Sequence, residues 1–161
     1  MKTLQIRKVV RDDIPNLKAV IDSAELFPSE LLDEMVEAYL NGEEDSIWLT
    51  AEQDTPSFVA YCAPEKMTDG TWNLYLIAVH SNLQGQGAGK QVLAYIESEL
   101  RARKVRVLIV ETSGLPEFSR TREFYRQSDY TEEARIRDFY EAGDDKVVFW
   151  KSLTQQPTWP Q

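Results

Sequence analysis

Residues 72–100 constrain this chain more than any other stretch. They read Trp72-Asn-Leu-Tyr-Leu-Ile-Ala-Val79, then His80-Ser-Asn-Leu83, then Gln84-Gly85-Gln86-Gly87-Ala88-Gly89-Lys90, and continue as Gln91-Val-Leu-Ala-Tyr-Ile-Glu-Ser-Glu-Leu100. An apolar run, a glycine-rich turn and an amphipathic run with Val92, Leu93, Ile96 and Leu100 at helical spacing predict a strand, a turn and a helix over residues 87–103. The first N–H groups of a helix lack intrahelical partners and carry the positive end of its dipole. Glycines at alternate positions clear side chains from that point, which makes it an anion site suited to phosphate.

The rest of the chain builds outward from this unit. Residues 3–9 predict a first strand. Asp12 or Asp13 is placed to cap a helix with Pro15 in its first turn and Ile14, Leu17, Val20 and Ile21 on one face. Residues 24–28 break that helix, Ser29 is placed to cap a second, and Gly42 ends it. Residues 46–52 and 57–63 predict an antiparallel hairpin, and Asp69-Gly70 a turn into the next strand. The apolar run 105–110 predicts a strand buried on both faces, closed by Glu111-Thr112-Ser113-Gly114 and joined to the strand before the glycine turn by a right-handed parallel crossover. A short helix over 120–126, two strands over 130–138 and 146–153 joined by residues 139–145, and a loose tail over 155–161 complete the order. The expected architecture is α/β: a mixed, mostly antiparallel sheet of about seven strands with flanking helices, in a single domain over residues 1–154.

Composition excludes several functions. A net charge of −9 opposes nucleic-acid binding; it either serves solubility alone or suits a cationic or amine-bearing partner. Cys62 is the only cysteine, so neither an intramolecular disulfide nor a cysteine tetrad for a metal is expected. The charged start and the lack of a long apolar segment predict neither signal peptide nor membrane span, hence a cytoplasmic setting by default.

Two phosphate motifs fail on the glycine turn. A P-loop needs glycine where Gln84 stands and Ser or Thr where Gln91 stands; a dinucleotide fingerprint starting at Gly85 or Gly87 needs glycine at Lys90 or Val92. What remains is Gln84-x-x-Gly87-x-Gly89 after a strand ending Leu-Ile-Ala-Val, with a buried strand and Phe124-Tyr125 downstream. This resembles the Gcn5-related N-acetyltransferase family, whose acetyl-coenzyme A site follows Gln/Arg-x-x-Gly-x-Gly/Ala, and the order of elements matches over nearly the whole chain.

The resemblance implies roles. The backbone amides of Gln84, Gly85, Gln86, Gly87, Ala88, Gly89 and Lys90 would hold the pyrophosphate of acetyl-coenzyme A, and the backbone of Ile77, Ala78 and Val79 would pair with its pantetheine arm. Tyr125 would protonate the departing thiolate, with Phe124 beside it in the core. Glu111 would take the amine proton directly or through water, with Glu25 as an alternative base. The acetyl group would pass directly to an amine of a small molecule or peptide; a non-catalytic acyl-coenzyme A sensor is the alternative. His80, the only histidine, reads as a surface residue past the strand, and Cys62 as a small strand filler and not an acetyl carrier. Two positions depart from the family pattern: Phe118 stands where many relatives have Asn, leaving Ser119 or Thr121 as substitutes, and Asp129 stands where a glycine is usual. The acceptor pocket is expected among residues 24–30, 65–70 and 137–145, which carry Glu25, Glu65, Asp69, Asp138, Glu141, Asp144 and Asp145; that carboxylate set suits a cationic amine, such as a polyamine, an amino acid derivative or a peptide N-terminus, and equally a solvated acidic surface. Phe139-Tyr140 would line that pocket or a homodimer contact.

Overall fold

The computed structural model describes residues 3–154; the expected loose tail over 155–161 lies outside them. Seven strands form one mixed sheet, β1 (Ile6–Lys8), β2 (Ile47–Ala51), β3 (Phe58–Pro64), β4 (Thr71–Val79), β5 (Val107–Ser113), β6 (Thr131–Glu141) and β7 (Asp144–Ser152), in the order β1-β2-β3-β4-β5-β7-β6. Four helices accompany it: α1 (Ile14–Ala24), α2 (Leu32–Leu40), α3 (Ala88–Ala102) and α4 (Ser119–Gln127). The chain divides into two compact units, Met1–Pro64 with Tyr75–Ile96, and Glu65–Leu74 with Glu97–Gln161.

The first unit holds β1, α1, α2, the β2–β3 hairpin, the second half of β4 and the glycine turn. The amphipathic spacing read from the sequence is realised: Leu17, Val20 and Ile21 of α1 and Leu32 and Val36 of α2 are buried with Val9, Trp48, Val59, Leu76 and Ala78 in one cluster. Burying such side chains stabilises by roughly 1.5–3 kcal/mol each. Asp13 is the polar tie at the edge of this core. Its carboxylate accepts from the two terminal guanidinium nitrogens of Arg7 at 2.7 and 2.8 Å and from Val10 N at 2.8 Å, which fastens β1 to the start of α1, while Arg7 Nε donates to Glu52. Ser29 opens a 3-10 turn (Ser29–Leu31) before α2 and makes no capping hydrogen bond, so its expected role as cap is not realised.

The second unit carries the parallel ladder. Thr71, Trp72, Asn73 and Leu74 of β4 pair with Val107, Leu108, Ile109 and Val110 of β5, the crossover expected from the strand–helix–strand order. β5 continues through Glu111, Thr112 and Ser113, which pair with Val148, Val147 and Lys146 of β7, so Glu111 sits inside the strand and not past its end. Nor is β5 buried on both faces: Leu108 and Val110 are buried while Val107 and Ile109 are partly exposed. A run of branched residues does not reveal which face is covered; only its neighbours do. The final hairpin is also longer than expected. The polar run 139–145 continues the strands and leaves only Ala142-Gly143 as the turn, because Asp138 adopts a left-handed φ of 54° and takes up the irregularity as a shift of register between Ile136 and Glu141.

Candidate active site

In the first unit, β4 ends at Val79 and the chain turns sharply. His80 N–H donates to Ser57 O at 2.7 Å, and Ser81 N–H donates to Ser23 Oγ at 2.9 Å, so the turn is anchored to the strand and helix beside it. The His80 ring caps the 3-10 turn Ser81–Leu83, its Nδ1 accepting from Asn82 N at 3.2 Å. Gln84 folds back so that its Nε2 donates to Val79 O at 3.1 Å, and Gln86 Nε2 donates to Asn82 O at 2.8 Å. The glutamine that opens the motif thus braces the turn with its side chain.

Gly85 and Gly87 have φ of 77° and 80°. These left-handed turns, which a β-carbon would strain, bring the chain into α3 at Ala88. The first α3 bond runs from Gln91 N–H to Gly87 O at 3.2 Å. Among the described residues the amides of Gly85 through Lys90 donate to no protein acceptor, leaving a run of backbone donors at the positive end of α3. Lys90 is exposed there and has no carboxylate partner among the described residues. A cation at a helix N-terminus is electrostatically disfavoured, and an anion bound at the amides would offset it. The residues expected to hold a pyrophosphate therefore fit one. Just upstream, Ala78 is buried while Ile77 and Val79 are partly exposed.

The same unit contains an aromatic array that the sequence reading did not single out. Trp48 stacks on Tyr61 with centroids 4.2 Å apart, Tyr61 on Tyr75 at 5.5 Å, and Tyr39 lies 6.4 Å from Trp48. Trp48 is fully buried, and Tyr75 is half-exposed. Tyr61 Oη donates to Glu44 Oε1 at 3.0 Å. Burial first, and then the bond to Glu44, push the Tyr61 phenol above its ordinary range. Each aromatic residue lies on a different element, and Trp48 and Tyr61 meet because they stand opposite each other in the β2–β3 register. Glu25 is exposed and ends α1 in a left-handed turn with φ of 52°. Cys62 is buried in β3 opposite Ile47.

In the second unit, α4 carries Tyr125, the expected acid. Its ring is 2% exposed and lies 5.5 Å from Phe149, 5.7 Å from Tyr130 and 5.2 Å from the half-buried Phe124. Burial alone pushes its phenol well above the ordinary tyrosine range. Its hydroxyl forms no hydrogen bond among the described residues, whereas Tyr130 Oη donates to the buried Glu97 at 2.8 Å. Tyr125 thus holds its proton and spends it on no structural bond.

Glu111 is partly exposed on β5. Its Oε2 lies 2.6 Å from Lys146 Nζ, and that ammonium sits 4.2 Å from the Phe139 ring centroid. No partner takes Glu111 Oε1 among the described residues. The start of α4 is held without the asparagine usual in the family: Arg122 donates to Ser113 O at 2.7 Å and Leu115 O at 2.8 Å, while Phe118 makes no capping bond. The departure at Asp129 is absorbed, since it takes the left-handed conformation with φ of 69°. Three of the carboxylates expected around an acceptor have partners in the β6–β7 hairpin or on β5. Asp145 pairs with Arg135 at 2.8 Å and accepts from Asp138 N, Asp138 accepts from Gly143 N, and Asp144 accepts from Ser113 Oγ.

The GNAT acetyltransferase family model matches residues 16–143. The chain belongs to that family. Among solved structures it resembles a GNAT-family protein from Desulfovibrio desulfuricans, at 30% identity over 94% of this chain and 99% of the other, with a TM-score of 0.87. It has the fold of the ribosomal-protein-S18-alanine N-acetyltransferase of Escherichia coli, at 18% identity over 98% of each chain and a TM-score of 0.75. It also has the fold of an aminoglycoside 6'-N-acetyltransferase crystallised with coenzyme A, at 16% identity over 94% and 98% of the two chains and a TM-score of 0.77. No curated protein matches the sequence. This GNAT chain is thus an N-acetyltransferase by class. No helix among its described residues is long and apolar enough to cross a membrane, and no group of histidine, cysteine and acidic residues there could hold a metal ion.

Proposed function

We propose that the protein transfers an acetyl group from acetyl-coenzyme A directly to the amine of a small molecule or peptide, with residues 1–154 acting as one catalytic domain. The observation that carries this reading is the run of unpartnered backbone amides from Gly85 to Lys90 at the start of α3, beside an exposed lysine. Helix-start amides in series recognise phosphate oxygens, and two left-handed glycines are what such a turn requires. Bound acetyl-coenzyme A would supply the acetyl group as a thioester.

The chain's own residues then have distinct tasks. Gly85, Gln86, Gly87, Ala88, Gly89 and Lys90 bind the pyrophosphate, whereas Gln84, whose amide donates to Ser81 O and whose side chain donates to Val79 O, braces the turn instead of contributing the expected amide. Ile77, Ala78 and Val79 offer strand backbone to the amides of the extended arm, as a sheet edge receives an added strand. Tyr125 holds a proton at Oη for the leaving sulfur; burial keeps the phenol neutral, and no structural bond competes for it. Glu111 accepts the amine proton at Oε1, directly or through water, while Lys146 fixes Oε2.

The test mixes the protein with acetyl-coenzyme A and a panel of mono-, di- and aminoacyl amines, following release of free thiol, with coenzyme A binding measured by calorimetry. Thiol release that depends on the amine supports the reading. Absence of coenzyme A binding refutes it, and binding without turnover of any amine points to the sensor alternative.

A further inference from the structure

We infer that Glu44, Tyr61 and Tyr75 form a subsite for a second, non-reacting ammonium group on the acceptor, so that the acceptor is a diamine or longer polyamine. The inference takes its place in the molecule from the acetyl-transfer reading above.

Glu44 lies in the loop between α2 and β2 and is partly buried. Its Oε1 accepts from Tyr61 Oη at 3.0 Å and its Oε2 from Ser46 Oγ at 2.9 Å. Both donors are neutral. Among the described residues no lysine, arginine or histidine pairs with Glu44, in contrast to Glu97, Glu111, Asp13 and Asp145, which all have a cation. Its two hydroxyl partners orient the carboxylate and leave its charge uncompensated. A carboxylate offers about four lone-pair sites, so accepting positions remain.

The Tyr61 ring leads from this carboxylate to the surface. It is stacked between buried Trp48 and Tyr75, and Tyr75 is 49% exposed. Because Trp48 and Tyr75 cover the two faces of Tyr61, the subsite pairs the oriented Glu44 carboxylate with the half-exposed Tyr75 ring: the ring quadrupole attracts the cation and the carboxylate accepts its N–H groups. The net charge of −9 draws such a ligand from solution.

Placement along β4 decides which nitrogen this is. Tyr75 stands two residues before Ile77 on the same strand, roughly 7 Å along it. Ile77 begins the segment proposed to hold the donor arm. The nitrogen that attacks the thioester must be neutral, whereas the subsite favours a charged one. A ligand that satisfies both carries its second ammonium a few carbons from the reacting amine.

The experiment measures binding of 1,4-diaminobutane and of butylamine to the coenzyme A-saturated protein by calorimetry, with acetylation of both followed in parallel. Wild type should bind the diamine at least about tenfold more tightly than the monoamine. Glu44→Gln should erase that preference, Tyr75→Phe should keep it, and Tyr75→Leu should reduce it. Because Tyr75 is half-exposed, its variants serve even if Glu44→Gln disturbs the Tyr61 stack. Equal affinities in wild type, or a preference unchanged in both Glu44→Gln and Tyr75→Leu, overturn the subsite. Glu44-dependent diamine binding leaves the subsite standing even where no amine of the wider panel is acetylated and the transferase reading falls; acetylation of both amines with no preference removes the subsite and keeps the transferase reading.

Discussion

Replacing Tyr125 by phenylalanine removes one oxygen, and the structure says what else is lost. The ring would keep its contacts with Phe149, Tyr130 and Phe124, because those are ring-to-ring. The hydroxyl makes no hydrogen bond among the described residues, so no partner is orphaned. Stability should change by no more than about 0.5 kcal/mol, whereas Tyr125→Ala would empty a buried aromatic site and cost roughly 3–5 kcal/mol. Activity should behave differently. Loss of a general acid lowers turnover by roughly 10²–10⁴-fold, about 3–5 kcal/mol of barrier. The assay is initial-rate thiol release at saturating acetyl-coenzyme A, with coenzyme A affinity and thermal unfolding measured on the same sample. A kcat within twofold of wild type, with affinity and stability intact, would refute the acid role and leave Tyr125 as core. The pH dependence follows from burial. The folded phenol is held above its ordinary value near 10, so Tyr125 should contribute no descending limb to kcat below about pH 10. The stability linked to it is whole below the unfolded value and is lost as pH rises toward the folded one, and Tyr130 adds to the loss with the same sign. Tyr125→Phe should therefore lose less stability than wild type above pH 10.

Two further expectations test the frame around the site. Gly85→Ala places a β-carbon in open space, so its cost is the strain of φ 77° alone, about 1–2 kcal/mol of stability, with weaker coenzyme A binding if the turn relaxes; an unchanged unfolding midpoint would contradict the left-handed geometry. Asp13→Asn takes the carboxylate from the two terminal nitrogens of Arg7, with Glu52 remaining on Nε, and should cost roughly 1–2 kcal/mol at pH 7. The hydrogen bonds from Arg7 lower the Asp13 pKa in the folded state, so the stability they confer is present above the unfolded carboxylate value and fades as pH falls through the folded one. The deficit of the variant, read from urea unfolding, should shrink steadily below about pH 4; a deficit of the same size in acid would mean that packing and not charge is lost.

The glycine turn was legible because it is local. Gly85 and Gly87 had to be glycines for the chain to enter α3 as it does, and the apolar run before them and the amphipathic run after them name the flanking elements. The faces of α1 and α2 were legible for the same reason, since helical spacing decides which side chains share a side. Strand boundaries were harder. β5 runs on through Glu111 to Ser113 because β7 offers it a partner that far, and β6 runs through Phe139 and Tyr140 because Asp138 takes up the irregularity. Neither partner is visible from the strand's own residues. The sequence left the aspartates of the last hairpin open between an acceptor pocket and a solvated surface; it could not name their partners, which are Arg135, Ser113 and the hairpin backbone.

The sequence by itself determined the glycine turn that opens α3, framed by a strand and a helix, and with it the family. It did so because backbone conformation and helix dipole act over a few residues and leave their mark in consecutive letters. Only the tertiary structure decided that Tyr125 keeps an unshared proton in a buried ring cluster and that Glu111 shares one oxygen with Lys146. It alone brought Glu44 under a stack built from Trp48, Tyr61 and Tyr75. Those facts depend on burial and on cross-strand register, which are properties of residues distant in sequence and set only when the sheet closes around them.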